Sequence, residues 1–405
     1  MQPTDRLHAL DAVRAFALLC GVVLHSTMAY LPGMPPFLLS PAHETTHSVA
    51  LGLTFFVIHV FRMTSFFLIA GFFARRMLHA KGALGFVKNR LLRIAVPLVV
   101  GWPLVIASVW GLWLVGLSLF FHGAMPKAPA AAPGHAAFLA FPLTHLWFLY
   151  VLLELYVATL LIRGLFVLVD REGRLRDALA DGFAALIRSG LGVFVLAAPV
   201  AAALSVAPAW TAWFGIPTPD SSLVAQPVSA IAFFMAFATG WLIEKRPELL
   251  QTLAKRWVLH LILALGLGGV VLAILGLAPN LAPATPQTHQ LILAMAYAGA
   301  SISSAFALIG LAMRFLSRPN GAIRYLADAS YWIYLAHLPL VYALQIAISG
   351  LNWPAEAKFA LVAGVAITVL LLSYEVMVRY SFIGAVLNGR RRRAGRPPAR
   401  AAIPA

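Results

Sequence analysis

The chain has 405 residues, 61% of them hydrophobic and 11% charged, with a formal net charge of +16. A soluble domain carries about a quarter charged residues. The apolar residues here also fall in long blocks, which excludes a large soluble core and predicts an all-α polytopic membrane protein. The single cysteine, Cys20, excludes an internal disulfide and a cysteine-based metal site.

Ten apolar segments follow in order, at 9–30, 51–74, 94–121, 143–168, 190–207, 224–243, 257–277, 288–313, 326–349 and 358–382. A helix crosses a hydrocarbon core of about 30 Å with about 20 residues, and lipid leaves such runs no other backbone option. The fifth segment is the shortest. The first is not a cleaved leader, because Asp11 and Arg14 interrupt its apolar run. The loops at 75–93, 169–189, 244–256 and 314–325 are basic. Those at 31–50, 122–142, 208–223, 278–287 and 350–357 carry only Lys127, with Lys358 at the edge of the last. The positive-inside rule then puts both termini and the basic loops in the cytoplasm. The positive charge reflects topology and attraction to the lipid bilayer, so no nucleic-acid partner is expected. Residues 1–385 form one integral membrane domain. Residues 386–405, with "RRRRAGRPPAR", form a basic, disordered cytosolic tail.

Residues 43–47 read "HETTH", the pattern of zinc proteases, in which two histidines one turn apart grip the metal. In "SPAHETTHSVALGLTFF", Ser40 suits an N-cap and Pro41 the first helical position, so HETTH is expected to open the second helix at its outer mouth. No third ligand follows at suitable phase before the helix enters the membrane. No metal site is expected, and contact with a polar substrate at the outer surface stays open.

Ionisable residues inside spans are costly and point to function. Arg14 and His25 in the first segment are eleven residues apart, which places them on one helix face about 16 Å apart along the axis. Arg14 lies near the cytoplasm with Asp11 as partner, and His25 lies in the outer half, where a neutral imidazole accepts a proton. The second segment carries His59 and Arg62. The fourth carries Glu154, at the same depth as Arg62 and expected to pair with it. The ninth carries His337 near mid-membrane. Arg90 and Arg93 at the inner mouth of the third segment share a face; that spacing suits a phosphate clamp or a purely topological anchor.

The stretches "RAFALLCGVVLH", "FFLIAGFF", "RLLRIAVP", "HLWFL" and "DASYWIYLAHLPL", in this order, resemble the acyltransferase 3 family of integral membrane acyltransferases over nearly the whole chain. "HVFRMTSFFLIAGFF" and "SYEVMVRY" are similar to the branch that succinylates periplasmic glucans. Ala70 replaces a serine found in many relatives. Some members carry a fused extracytoplasmic domain; nothing of that size follows the tenth segment here, so transfer is expected to finish in the membrane domain or on a partner.

The resemblance implies a multi-pass protein of the bacterial inner membrane. It also implies acyl-CoA as co-substrate without a bound cofactor, and an extracytoplasmic carbohydrate hydroxyl as acceptor. His25 and Arg14 become the catalytic residues. Arg62, His59, Glu154, His145, Trp147, His337, Arg90 and Arg93 become substrate-binding residues, with Arg75 and Arg76 placed to assist. Arg62 is the candidate cation for a succinyl carboxylate. The rival readings are a glycan or lipid transporter, weakened by the absence of an internal repeat, and a scaffold in which the buried charges tolerate replacement.

Overall fold

A computed structural model of the protein describes residues 8–123, 141–208, 210–224, 226–285 and 289–389. Among these residues the regular structure is helical. Its elements are α1 (His8–Thr27), α2 (Val49–Arg90), α3 (Val96–Phe121), α4 (Trp147–Val169), α5 (Arg174–Ser189), α6 (Gly192–Ser205), α7 (Pro227–Lys245), α8 (Leu249–Leu275), α9 (Gln290–Phe315), α10 (Gly321–Ile348), α11 (Ala355–Ser373) and α12 (Phe382–Asn388). Among the described residues, eight helical stretches are long and apolar enough to cross a membrane.

The longest of them, Val49–Phe121, has 73 residues. At 1.5 Å per residue it would reach roughly 110 Å if straight, more than three core thicknesses. It therefore turns back. Gly82 breaks the helix with φ 68° and ψ 175°, a backbone open to glycine. A π-helical turn at Leu91–Ala95 then feeds α3. The far end of α3 returns to the start of α2, where Gly116 lies against the Pro41 carbonyl. This single run thus supplies the second and third expected segments.

The fifth expected segment, 190–207, is not one straight helix but the second half of a bent pair. Its helix, α6, has 14 residues and bends by 106° from α5. It reaches about 21 Å, short of the core. The Gln290 side chain caps its end by donating to the carbonyls of Leu204 and Ala207, and buried Trp210 and Trp213 fill the layer beyond.

The four basic loops meet at one end of the molecule. Arg75 binds Glu244 at 2.9 Å, Lys245 binds Asp177 at 2.8 Å, and Arg188 binds Glu248 at 3.2 Å. Arg324 and Arg93 share one cavity at that end. The alternation of charge along the chain is thus matched by the path of the helices. Buried positions face one large aromatic and aliphatic core, in which α2 packs on α7, α1 on α10, and α8 on α9. At the α2–α7 crossing Gly71 meets the Phe237 carbonyl and Gly240 meets the Leu68 carbonyl, the close approach that small residues permit between membrane helices.

HETTH is not helical. Residues 43–48 have no regular structure and α2 begins at Val49, capped by Ser48, whose hydroxyl accepts from the Leu51 amide. The expected cap, Ser40, instead donates to the Gln345 side chain at 2.8 Å. The one-face placement of His43 and His47 therefore fails. Glu44 forms an ion pair with Lys358 at 2.7 Å, each side chain only 1% exposed. Of the expected tail, residues 386–388 complete α12, while 390–405 lie outside the described residues, as does Lys127.

Candidate active site

Two cavities enter the helix bundle from opposite ends. The inner one, about 840 Å³, opens among the basic loops and is walled by α1, α2, α4, α10 and α12. Arg14, Arg76, Arg90, Arg93 and Arg324 line it. Arg14 is held by Asp11 at 2.9 Å, the partner expected from sequence. Arg90 lies over the faces of Phe86 and Tyr156, with ring distances of 5.3 and 5.1 Å. Neither Arg90 nor Arg93 has a carboxylate within 4 Å among the described residues, so both are available to an anion.

The outer cavity, about 470 Å³, is lined by His25, His145, Phe37, Trp110, Trp113, Tyr342 and Asp220. Flat aromatic faces beside a carboxylate suit a polyhydroxylated ring, which offers C–H faces and hydroxyl edges together.

A thin septum separates the cavities. On α10, Tyr334 lines the inner cavity and Leu338 the outer. At the start of α4, Leu149 and His145 divide in the same way. Four helical residues rise about 6 Å, so the barrier is about one turn thick. Three imidazoles fill it. His337 is centred 5.1 Å from His25 and 4.9 Å from His145.

Their hydrogen bonds assign the tautomers. His337 Nδ1 lies 2.7 Å from the Tyr334 carbonyl, an acceptor, so that nitrogen carries the proton and Nε2 is left without a partner. His25 Nδ1 lies 3.1 Å from the Met28 sulfur, which also can only accept. The His25 Nε2 lone pair is therefore free to act as a base. Neither ring nitrogen of His145 has a hydrogen-bond partner among the described residues. It is positioned by Thr144, held at φ 50° with its amide donating to the Asp220 carbonyl at 2.8 Å, and by Tyr334, whose hydroxyl donates to the His145 carbonyl at 2.8 Å.

Arg62 reaches the same septum. It fills the space that a side chain at residue 21 would take: a Cβ on Gly21 would lie 3.2 Å from its Nη2. Its Nε has no partner, and no carboxylate lies within 4 Å of it among the described residues. The expected pairing with Glu154 is thus not formed. Glu154 lies near Tyr150, one turn away on its own helix, whose hydroxyl donates to the Leu223 carbonyl at 2.9 Å. Equal depth did not mean equal azimuth. Glu154 and Trp147 lie outside both cavities; Trp147 packs on Phe233 at 5.3 Å. His59 lies against Phe55 with ring centroids 4.3 Å apart and planes tilted by 42°, its Nδ1 without a partner among the described residues.

The structure therefore brings together His25, His145, His337 and Arg62 at the septum, and Arg14, Arg90 and Arg93 in the inner cavity. Tyr334, Asp220 and Trp113 were missed from sequence. Trp110 and Trp113, three residues apart on one helix face, were the legible signal for an outer platform.

A family model described as an acyltransferase domain matches residues 7–373. Among curated proteins the chain is similar to glucans biosynthesis protein C of Escherichia coli strain SMS-3-5, at 30% identity over 159 residues. The proteins of the same name from Escherichia coli O1:K1 and strain K12 match equally, at 30% identity. Each match covers 37% of this chain and 37% of the relative. No solved structure matches.

Proposed function

This chain belongs to the acyltransferase 3 family of membrane acyltransferases, and we propose that it moves an acyl group from cytosolic acyl-CoA to a hydroxyl of an extracytoplasmic carbohydrate. The observation that carries the reading is the pair of cavities meeting at the histidine septum. The inner cavity is cationic, as a polyphosphate donor requires. The outer one is aromatic, as a sugar acceptor favours. Acetyl and succinyl are the candidate groups, periplasmic glucan is a candidate acceptor by likeness to glucans biosynthesis protein C, and the inner membrane is the proposed location.

In this mechanism Arg90 and Arg93 hold the CoA phosphates, Arg14 orients the donor, and the pantetheine arm brings the thioester to the septum. The acceptor hydroxyl lies against His25 Nε2, which takes its proton as the oxygen attacks the thioester carbonyl. The tetrahedral intermediate collapses, the C–S bond breaks, and the imidazolium returns the proton to the departing thiolate. The products are an ester on the outer side and free CoA on the inner. Arg62, a partly buried cation with no carboxylate within 4 Å among the described residues, is suited to the carbonyl oxyanion or to the distal carboxylate of a dicarboxylic acyl group. Purified protein in detergent supplied with acyl-CoA and a glucan should release free thiol and acylated glucan. Absence of both products with any acyl-CoA would instead favour a transporter.

A further inference from the structure

Another cavity opens at the cytoplasmic end, on the other side of α2 from the donor cavity. It measures about 450 Å³ and lies between α2, α4, α5 and α7. Arg76 lines the donor cavity, while its neighbour Arg75 lines this one. No step of the proposed transfer uses it.

Its walls are graded along the membrane normal. Phe234, Ala238 and Trp241 of α7 form an apolar wall about 10 Å long, and Lys245 lies about 6 Å further toward the cytoplasm. At that end the lining holds Arg75, Arg163, Arg176 and Lys245 against one acid, Asp177. Arg75, Arg176 and Lys245 already have carboxylate partners, at 2.9, 3.0 and 2.8 Å. Arg163 has none within 4 Å among the described residues. The mouth is apolar: Ile162 and Leu179 are 38% and 49% exposed at its edge, facing where the acyl chains of the bilayer lie.

A soluble anion would answer the guanidinium and leave the aromatic wall unfilled. A zwitterionic lipid would fill the wall and bring no net charge to the surplus guanidinium of Arg163. We propose that this cavity binds an anionic glycerophospholipid of the cytoplasmic leaflet. Its phosphate rests on Arg163 with Arg176 and Lys245, and one acyl chain runs along α7 past Trp241 toward Phe234. The order of the two halves matches a lipid's own orientation, with headgroup at the cytoplasmic rim and tail toward the bilayer centre. Such a lipid ties α5 to α4 and α7.

The test titrates delipidated protein in detergent with dioleoylphosphatidylglycerol, following tryptophan fluorescence and native mass spectrometry. Saturable one-lipid binding is expected, weakened roughly 25-fold in Arg163→Gln/Lys245→Gln, at about fivefold per cation removed. Ala238→Phe, which fills the apolar wall and leaves the cations in place, should also weaken it. Melting curves in lipid-free detergent identify folded variants, and the charge variant decides the matter alone if Ala238→Phe does not fold. Equal binding of phosphatidylcholine would overturn the proposal, as would unchanged affinity in the charge variant. Displacement of the lipid by inorganic phosphate at equal concentration would assign a soluble phosphate instead and overturn the lipid reading.

Discussion

His25 on α1 and His337 on α10 face each other across the septum with ring centroids 5.1 Å apart. Each presents an Nε2 free of its neighbours' acceptors, because Met28 and the Tyr334 carbonyl engage the other nitrogen. The two are not equivalent. His25 borders the outer cavity, while His337 is 1% exposed. His25→Ala should lower kcat by about 10²–10⁴-fold, the usual contribution of a general base, with the protein still folded. Wild-type turnover in that variant would remove His25 from the chemistry.

The donor clamp is separable from the chemistry. Charge-assisted hydrogen bonds contribute about 1.5–3 kcal/mol each. Arg90→Gln/Arg93→Gln should therefore raise the Kd for acyl-CoA by two orders of magnitude or more while His25 stays in place. Calorimetric titration checks this. Unchanged affinity would leave the two arginines as topological anchors.

Arg62 discriminates between acyl groups. If its unpaired guanidinium receives a distal carboxylate, Arg62→Gln should lose succinyl-CoA as a substrate far more than acetyl-CoA. If it serves the oxyanion, both should fall together. Comparing kcat/KM for the two donors separates the roles, and equal wild-type rates with both would deny Arg62 either one.

Glu44 and Lys358 form an ion pair whose side chains are 1% exposed. Burial pushes the Glu44 carboxyl up, and the Lys358 hydrogen bond opposes that shift. Removing one partner leaves the other buried and unmatched, at a cost of about 3–5 kcal/mol, whereas an apolar replacement of both is often neutral. Glu44→Leu and Lys358→Met should each lower the melting temperature in detergent, and the double variant should recover most of the loss. An additive double variant would show that the pair is not coupled.

Most of the membrane plan was legible from residues, because each basic loop reports its own side and each apolar run its own crossing. The site was legible where polar groups lie inside spans: His25, Arg62 and His337 stood out against lipid-compatible neighbours. What sequence did not carry was rotation about the helix axis and the folding of loops. Arg62 and Glu154 were matched by depth alone. HETTH followed a serine and a proline that read as a helix start, yet Ser40 is engaged by Gln345 and the Pro41 carbonyl by Gly116, contacts between distant parts of the chain. The outer cavity draws on α1, α3, α10, the turn before α4 and two loops, so no local pattern announced it.

The thinness of the septum has an electrical consequence. A barrier of one helical turn between two solvent-accessible cavities concentrates the membrane potential across the histidines. In the proposed transfer the proton passes inward as the acyl group passes outward, so a neutral acyl group crosses with no net charge, whereas a succinyl group carries its carboxylate charge outward. A charge crossing the full field is worth about 2.3 kcal/mol per 100 mV. An inside-negative potential should then accelerate transfer of a succinyl group in reconstituted vesicles and leave transfer of an acetyl group unchanged. An equal response of both donors to voltage would mean that the succinyl carboxylate does not cross the field.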